Sequence, residues 1–209
     1  MSEYTLDTDA AKQADTASGR ITETGKYVGA FTKAKKVLSN QGTQGVEFSF
    51  KSNSGQTADY LSVWTVNKDG ERIYGYKQLM AIMTCLKVRN IGSRDAVVEE
   101  YDRNSNSMQS VNIECFPDLQ NKPIGVLLQM EEYEKKDGSI AEKPVFAGFF
   151  DPSTEQVATE ILDKKQPEIL EKLVSQLVPL KKLKGSRQST PQAAPAGGSM
   201  PAGLDDIPF

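Results

Sequence analysis

No histidine occurs among the 209 residues, which removes the side chain most often used as a general base and the commonest metal ligand. Cysteine is scarce too: only Cys85 and Cys115 are present. Without histidine these two make no zinc site, and they read as reduced thiols in the core. The chain has no phosphate loop of the Walker type and no serine or cysteine in a recognisable nucleophile setting. Nor does any apolar run approach the ~18 residues that cross a bilayer. Residues 1–20 carry Glu3, Asp7, Asp9 and Asp15 and lack the basic flank and apolar core of a secretory signal, which predicts a cytoplasmic protein. These absences predict a protein with no metal, no cofactor and no catalytic chemistry.

What is present is an ordinary globular composition, 38% hydrophobic and 25% charged, with a net charge of −3. The distribution of charge says more than the sum. Residues 26–51 hold Lys26, Lys33, Lys35, Lys36 and Lys51 against the single acid Glu47. A second basic set, Arg72, Lys77, Lys87 and Arg89, flanks Tyr74 and Tyr76, and a third, Lys181, Lys182, Lys184 and Arg187, lies near the end. Basic residues interleaved with aromatic rings suit a single-strand binder, in which cations neutralise phosphates and rings stack on bases. Lys33, Lys35, Lys36, Lys51, Arg72 and Lys77 are the candidate phosphate contacts. The candidate stacking rings are Tyr27, Phe31, Tyr60, Trp64, Tyr74 and Tyr76, with Tyr74 and Tyr76 favoured because they sit beside turns and cations. Phe48 and Phe50 read as core, and Trp64 is open between core and surface.

Period-two patterning predicts strands over 25–39, around Val46, Phe48 and Phe50, and over 58–66, with a short further strand at 71–74. Leu79, Ile82, Met83 and Leu86 then recur at helical spacing, predicting an amphipathic helix over about 76–88. Strand character returns over 95–101, 108–116, 122–133 and 143–150, the last two joined by an Asp-Gly turn. Past residue 151, Ser153 with Gln156 predicts a capping box, Pro167 suits the first turn of another helix, and Pro179 should end it. Ile169, Leu170, Leu173, Val174 and Leu177 would give that last helix one apolar face, for packing on the β domain or for self-association. Strands on both sides of one internal helix point to a mainly β fold, an antiparallel barrel of the OB type, with C-terminal helices and a disordered tail.

The sequence closes on Leu204-Asp205-Asp206-Ile207-Pro208-Phe209, after a stretch of Gly, Pro, Ala, Ser and Gln that buries too little apolar surface to fold. An apolar ring, a carboxylate and two aspartates at the end of such a tether make a docking peptide for a basic-rimmed pocket. Asp205-Asp206-Ile207-Pro208-Phe209 resembles the acidic Ile-Pro-Phe ending of bacterial single-stranded DNA-binding proteins, although the family's acidic run is longer. More weakly, Gly25-Lys26-Tyr27, Gly42-Thr43-Gln44-Gly45, Trp64-Thr65 and the helix after Lys77 resemble the phage-encoded members. The resemblance implies an OB fold, sequence-independent coating of single-stranded DNA, and recruitment of replication, recombination and repair proteins through Asp205, Asp206, Ile207, Pro208 and Phe209.

The resulting division is a flexible segment at 1–20, a single-strand-binding domain at 21–150, a helical extension at 151–180, a linker at 181–203 and the tip at 204–209. Two other binding roles compete with coating: a recombination mediator or strand-annealing protein, and an interaction module that mimics the host tail. A two-metal nuclease could be built from carboxylates at Asp95, Glu99, Glu100 and Asp102 or at Glu131, Glu132 and Glu134. These residues adjoin turns, and Glu131 and Glu132 face opposite sides of a strand, so solvated edges are the better reading.

Overall fold

The computed structural model describes residues 8, 19–102 and 105–183. The tether and the tip, including Lys184 and Arg187, lie outside the described residues, as does most of the 1–20 segment. The described chain is mainly β: β1 (Gly19–Arg20), β2 (Gly25–Leu38), β3 (Gln44–Ser52), β4 (Gln56–Val66), helix α1 (Tyr74–Cys85), β5 (Arg94–Asp102), β6 (Ser107–Cys115), a short 3-10 turn (Pro117–Leu119), β7 (Pro123–Glu134), β8 (Ile140–Phe150), α2 (Ala158–Asp163) and α3 (Ile169–Ser175).

β2, β3 and β4 form an antiparallel meander, and β2 then shares its second edge between two partners. Its first half pairs with β7, Gly25 opposite Leu128 through Ala30 opposite Pro123. Farther along, Lys35 pairs with Cys115 of β6. One strand can serve both because a bulge between Phe31 and Lys33 bends it. The sheet therefore curls into an open half-barrel, consistent with the OB-type expectation, with α1 packed on β4 and β8. The β5–β6 hairpin is an insertion between α1 and β7, and it rises from the sheet on that one paired residue.

Alternation decides what is inside. Phe31, Phe48 and Phe50 are buried from β2 and β3: the Phe31 and Phe48 rings, 4.4 Å apart between centroids, both meet Phe146 of β8, which in turn meets Phe149, while Phe50 meets Phe31. Phe31 is thus core and not a stacking ring. Leu79, Ile82, Met83 and Leu86, the helical stripe, are all buried. Cys85 and Cys115 are buried and not joined in a disulfide. Burial, followed by the Asp151 charge, pushes the Cys85 thiol up to about 12.

Several local expectations shift. Residues 71–74 form no strand: Arg72 makes one isolated bridge to Val66, and α1 already begins at Tyr74. The helix ends at Cys85 because Lys87 takes a left-handed conformation, φ 57°. There the Val88 N–H reaches Met83 O and the Lys87 N–H reaches Thr84 O, closing a Schellman cap. Ser153 and Gln156 form no capping box. Ser153 donates its N–H and hydroxyl to Asp151, whose other oxygen meets Lys87 Nζ at 2.9 Å. The capping carboxylate is instead Glu160, 1% exposed, which accepts N–H bonds from Val157 at 2.9 Å, Glu168 at 2.7 Å and Ile169 at 2.8 Å. One buried side chain thereby caps both α2 and α3. Pro167 precedes α3 without entering it, and α3 stops at Ser175, ahead of Pro179. The α3 face packs on the sheet through Leu170, Leu173 and Leu177, with Leu170 buried against the cluster of Leu127, Phe150 and Val157, while Val174 stays exposed. Among the described residues no helix is long and apolar enough to cross a membrane.

Candidate nucleic-acid interface

The β2–β3–β4 meander has an inner face of phenylalanines and an outer face that carries most of the candidate side chains. Cross-strand register sorts them. Val37, Gly45 and Trp64 form one outer row; Lys35, Glu47 and Ser62 the next; Lys33 and Ser49 a third; Ala30, Lys51 and Thr57 a fourth. Lys36 belongs elsewhere. It lies in the row of buried Val46 and Val63, hence on the opposite side, and pairs with Glu114 at 2.8 Å. Hydrogen bonds from Lys36 and then Ser93 hold the Glu114 carboxyl below its usual range.

Trp64 is exposed at 36%, and its placement is set by two close approaches. A Cβ built on Gly45, its cross-strand partner, would stand 3.0 Å from the indole Cε3 and 2.6 Å from the Val63 carbonyl. A Cβ on Gly75, in the first turn of α1, would stand 2.0 Å from the Trp64 carbonyl oxygen. Only glycine at both positions lets β3 and α1 approach the Trp64 segment so closely.

The start of α1 brings the second group together. Tyr74 is 72% exposed. Tyr76 is half-buried, and its ring is covered by Arg72, whose guanidinium carbon lies 4.3 Å from the ring centroid. Lys77 is exposed on the next position. Tyr74 is therefore an open ring, while Tyr76 serves chiefly to hold Arg72 in place. Of the remaining cations, Lys35 pairs with Glu47 at 3.3 Å, and Lys51 is exposed. The third basic set contributes less than its composition suggested, because Lys181 Nζ is engaged by Glu131 at 2.6 Å.

The β5–β6 hairpin roofs part of this outer face. Between the two lies a cleft of about 380 Å³, with Thr32, Lys33, Ser49 and Asp59 on the sheet side and Ala96, Val98 and Pro117 on the other. It is an amphipathic slot, polar and charged on its floor, with Ala96, Val98 and Pro117 as an apolar wall and Gln120 as a further polar group. The hairpin was legible in the sequence, but its role was not. The pairing of Val98 with Val111 and Ala96 with Ile113 puts all four on one face, and only the register shows it. Among the described residues no group of His, Cys, Asp and Glu converges to hold a metal ion. Of the suggested nuclease carboxylates, Glu131 pairs with Lys181 and Glu132 accepts the Leu183 N–H at 3.1 Å.

Compared with models of known protein families the chain matches none, and no curated protein aligns with it significantly.

Proposed function

We propose that this protein binds single-stranded DNA without regard to sequence, as a coating protein of the OB type, and recruits partners through the Asp205-Asp206-Ile207-Pro208-Phe209 peptide. The observation that carries the binding reading is the outer face of the meander. Trp64 is exposed on that face against the first turn of α1, where Tyr74 is an exposed ring close in sequence to Arg72 and Lys77, and the face carries Lys35, Lys33 and Lys51, with Lys33 lining the cleft under the hairpin. Rings for bases and cations for phosphates on one open surface are what a single strand needs, and a duplex offers neither its base faces nor a thread thin enough for the cleft. With the β5–β6 insertion set aside, the strand order also supports the OB reading: three meander strands, a helix, then the β7–β8 hairpin, whose first strand pairs with the first meander strand. The recruitment half rests on the resemblance of the tip.

The test is a titration of a fluorescent oligonucleotide while Trp64 emission is followed. Quenching of the single tryptophan, with duplex of equal length bound at least tenfold more weakly, is expected. Equal affinity for duplex would overturn the reading.

A further inference from the structure

Asp59 lines two grooves at once. One is the cleft under the β5–β6 hairpin; the other, about 550 Å³, opens in the seam between β1–β4 and β7–β8, with Arg20, Tyr60, Tyr133 and Lys143 among its walls. Between them β4 is bulged, so that the register jumps from Phe48 opposite Leu61 to Phe50 opposite Ala58. Tyr60 occupies the bulge with φ 60°, the only aromatic in a left-handed conformation among the described residues. That backbone disfavours a bulky side chain and suits glycine or asparagine. Tyr60 is also 64% exposed, so little packing of the ring compensates the strain. Strain kept at an exposed ring on the lip of a groove is a feature of binding surfaces.

The chemistry of the seam groove differs from that of the first cleft. Arg20 and Lys143 are balanced by Asp59 and Glu142, and the Lys143 ammonium lies 5.4 Å from the Tyr133 ring centroid. A groove with no net charge and two phenol rings holds a phosphate poorly. An unpaired base has two apolar faces for the rings and hydrogen-bonding edges for the four charged groups.

We infer that the seam groove is a second base-holding site, filled by an unpaired nucleobase of a strand that leaves the hairpin cleft and crosses the β4 bulge, with Tyr60 as its platform and Tyr133 as its wall. The inference rests on the single-strand reading above.

Tyr60→Asn removes the ring and keeps a residue that tolerates the left-handed backbone. Its melting temperature should equal or exceed that of the parent. Affinity for an oligonucleotide long enough to reach both grooves should fall about tenfold, within the range of one lost base stack. A short oligonucleotide that fills only the hairpin cleft should bind as before. In the unmodified protein, ultraviolet crosslinking of halogenated-uracil oligonucleotides should mark peptides containing Tyr60 or Tyr133 with the long probe only. Failure of the unmodified protein to bind any single strand would remove the underlying reading. Binding that is normal in Y60N at both lengths, or equally weakened at both, would overturn the second site alone, as would long-probe crosslinks that avoid both tyrosines.

Discussion

Gly75 and Trp64 are in backbone contact: a methyl group on Gly75 would lie 2.0 Å from the Trp64 carbonyl oxygen. The first turn of α1 and the exposed ring on the outer sheet face are thus one mechanical unit. Gly75→Ala must push helix and strand apart, and overpacking of this kind costs about 1–3 kcal/mol. The expected outcome is a lower melting temperature together with a shifted Trp64 emission maximum in the absence of DNA. An unchanged emission maximum would show that the ring does not follow the helix.

The outer face and the start of α1 predict which lysines matter. Lys51→Ala and Lys77→Ala should each weaken single-strand binding and lower the slope of log affinity against log salt by about 0.7. Lys36→Ala should change neither, since Lys36 lies on the other side of the sheet with Glu114 as partner. Parallel salt titrations of the three variants check this; a reduced slope for Lys36→Ala would place the strand elsewhere.

Glu47 is the acid within the basic rows, 3.3 Å from Lys35. Glu47→Gln removes its negative charge from the face and leaves the side-chain shape nearly intact. Single-strand affinity should rise, with a steeper salt dependence, and duplex affinity should rise less. The measurement is the ratio of the two affinities in the variant and the parent.

Glu160 gives a pH signature. Burial pushes its carboxyl up, but the N–H bonds of Glu168, Val157 and Ile169, with the Lys172 charge, outweigh that and hold it below the usual glutamate range. A folded value below the unfolded one, about 4.3, means that its stabilisation is complete above the unfolded value and disappears as pH falls through the folded value. Glu160→Gln should therefore destabilise the protein by about 1–3 kcal/mol at neutral pH. Melting curves of variant and parent should approach one another in acid; a gap that stays constant with pH would assign the loss to packing.

Local patterning revealed much of this in advance. The β4 alternation separates buried Leu61, Val63 and Thr65 from exposed Tyr60, Ser62 and Trp64, and the helical stripe marks the buried face of α1, because both signals come from consecutive residues. What patterning missed depends on partners far away in the chain. A bulge after Phe31 reverses the phase of β2, so Lys33 and Lys35 face outward although they lie an even number of residues from buried Phe31, and Lys36 falls in the row of buried Val46. The cap shared by α2 and α3 is hidden because Glu160 reaches residues eight and nine positions ahead. The seam groove needs β1, β4, β7 and β8 to meet, which no local period encodes.

β7 runs farther than its neighbour β2, whose pairing begins with Gly25 opposite Leu128. Beyond that point the strand edge is covered by the protein's own chain after α3. The side chain of Gln129 holds both backbone groups of Val178, Lys181 N–H reaches Met130 O at 2.8 Å, and Glu132 N–H reaches Lys181 O at 3.0 Å. A bare edge at this place would be a template for strand addition by a neighbouring molecule. In the coating role proposed above, copies would crowd along the strand, and an edge sealed from within would keep that crowding from turning into fibre growth.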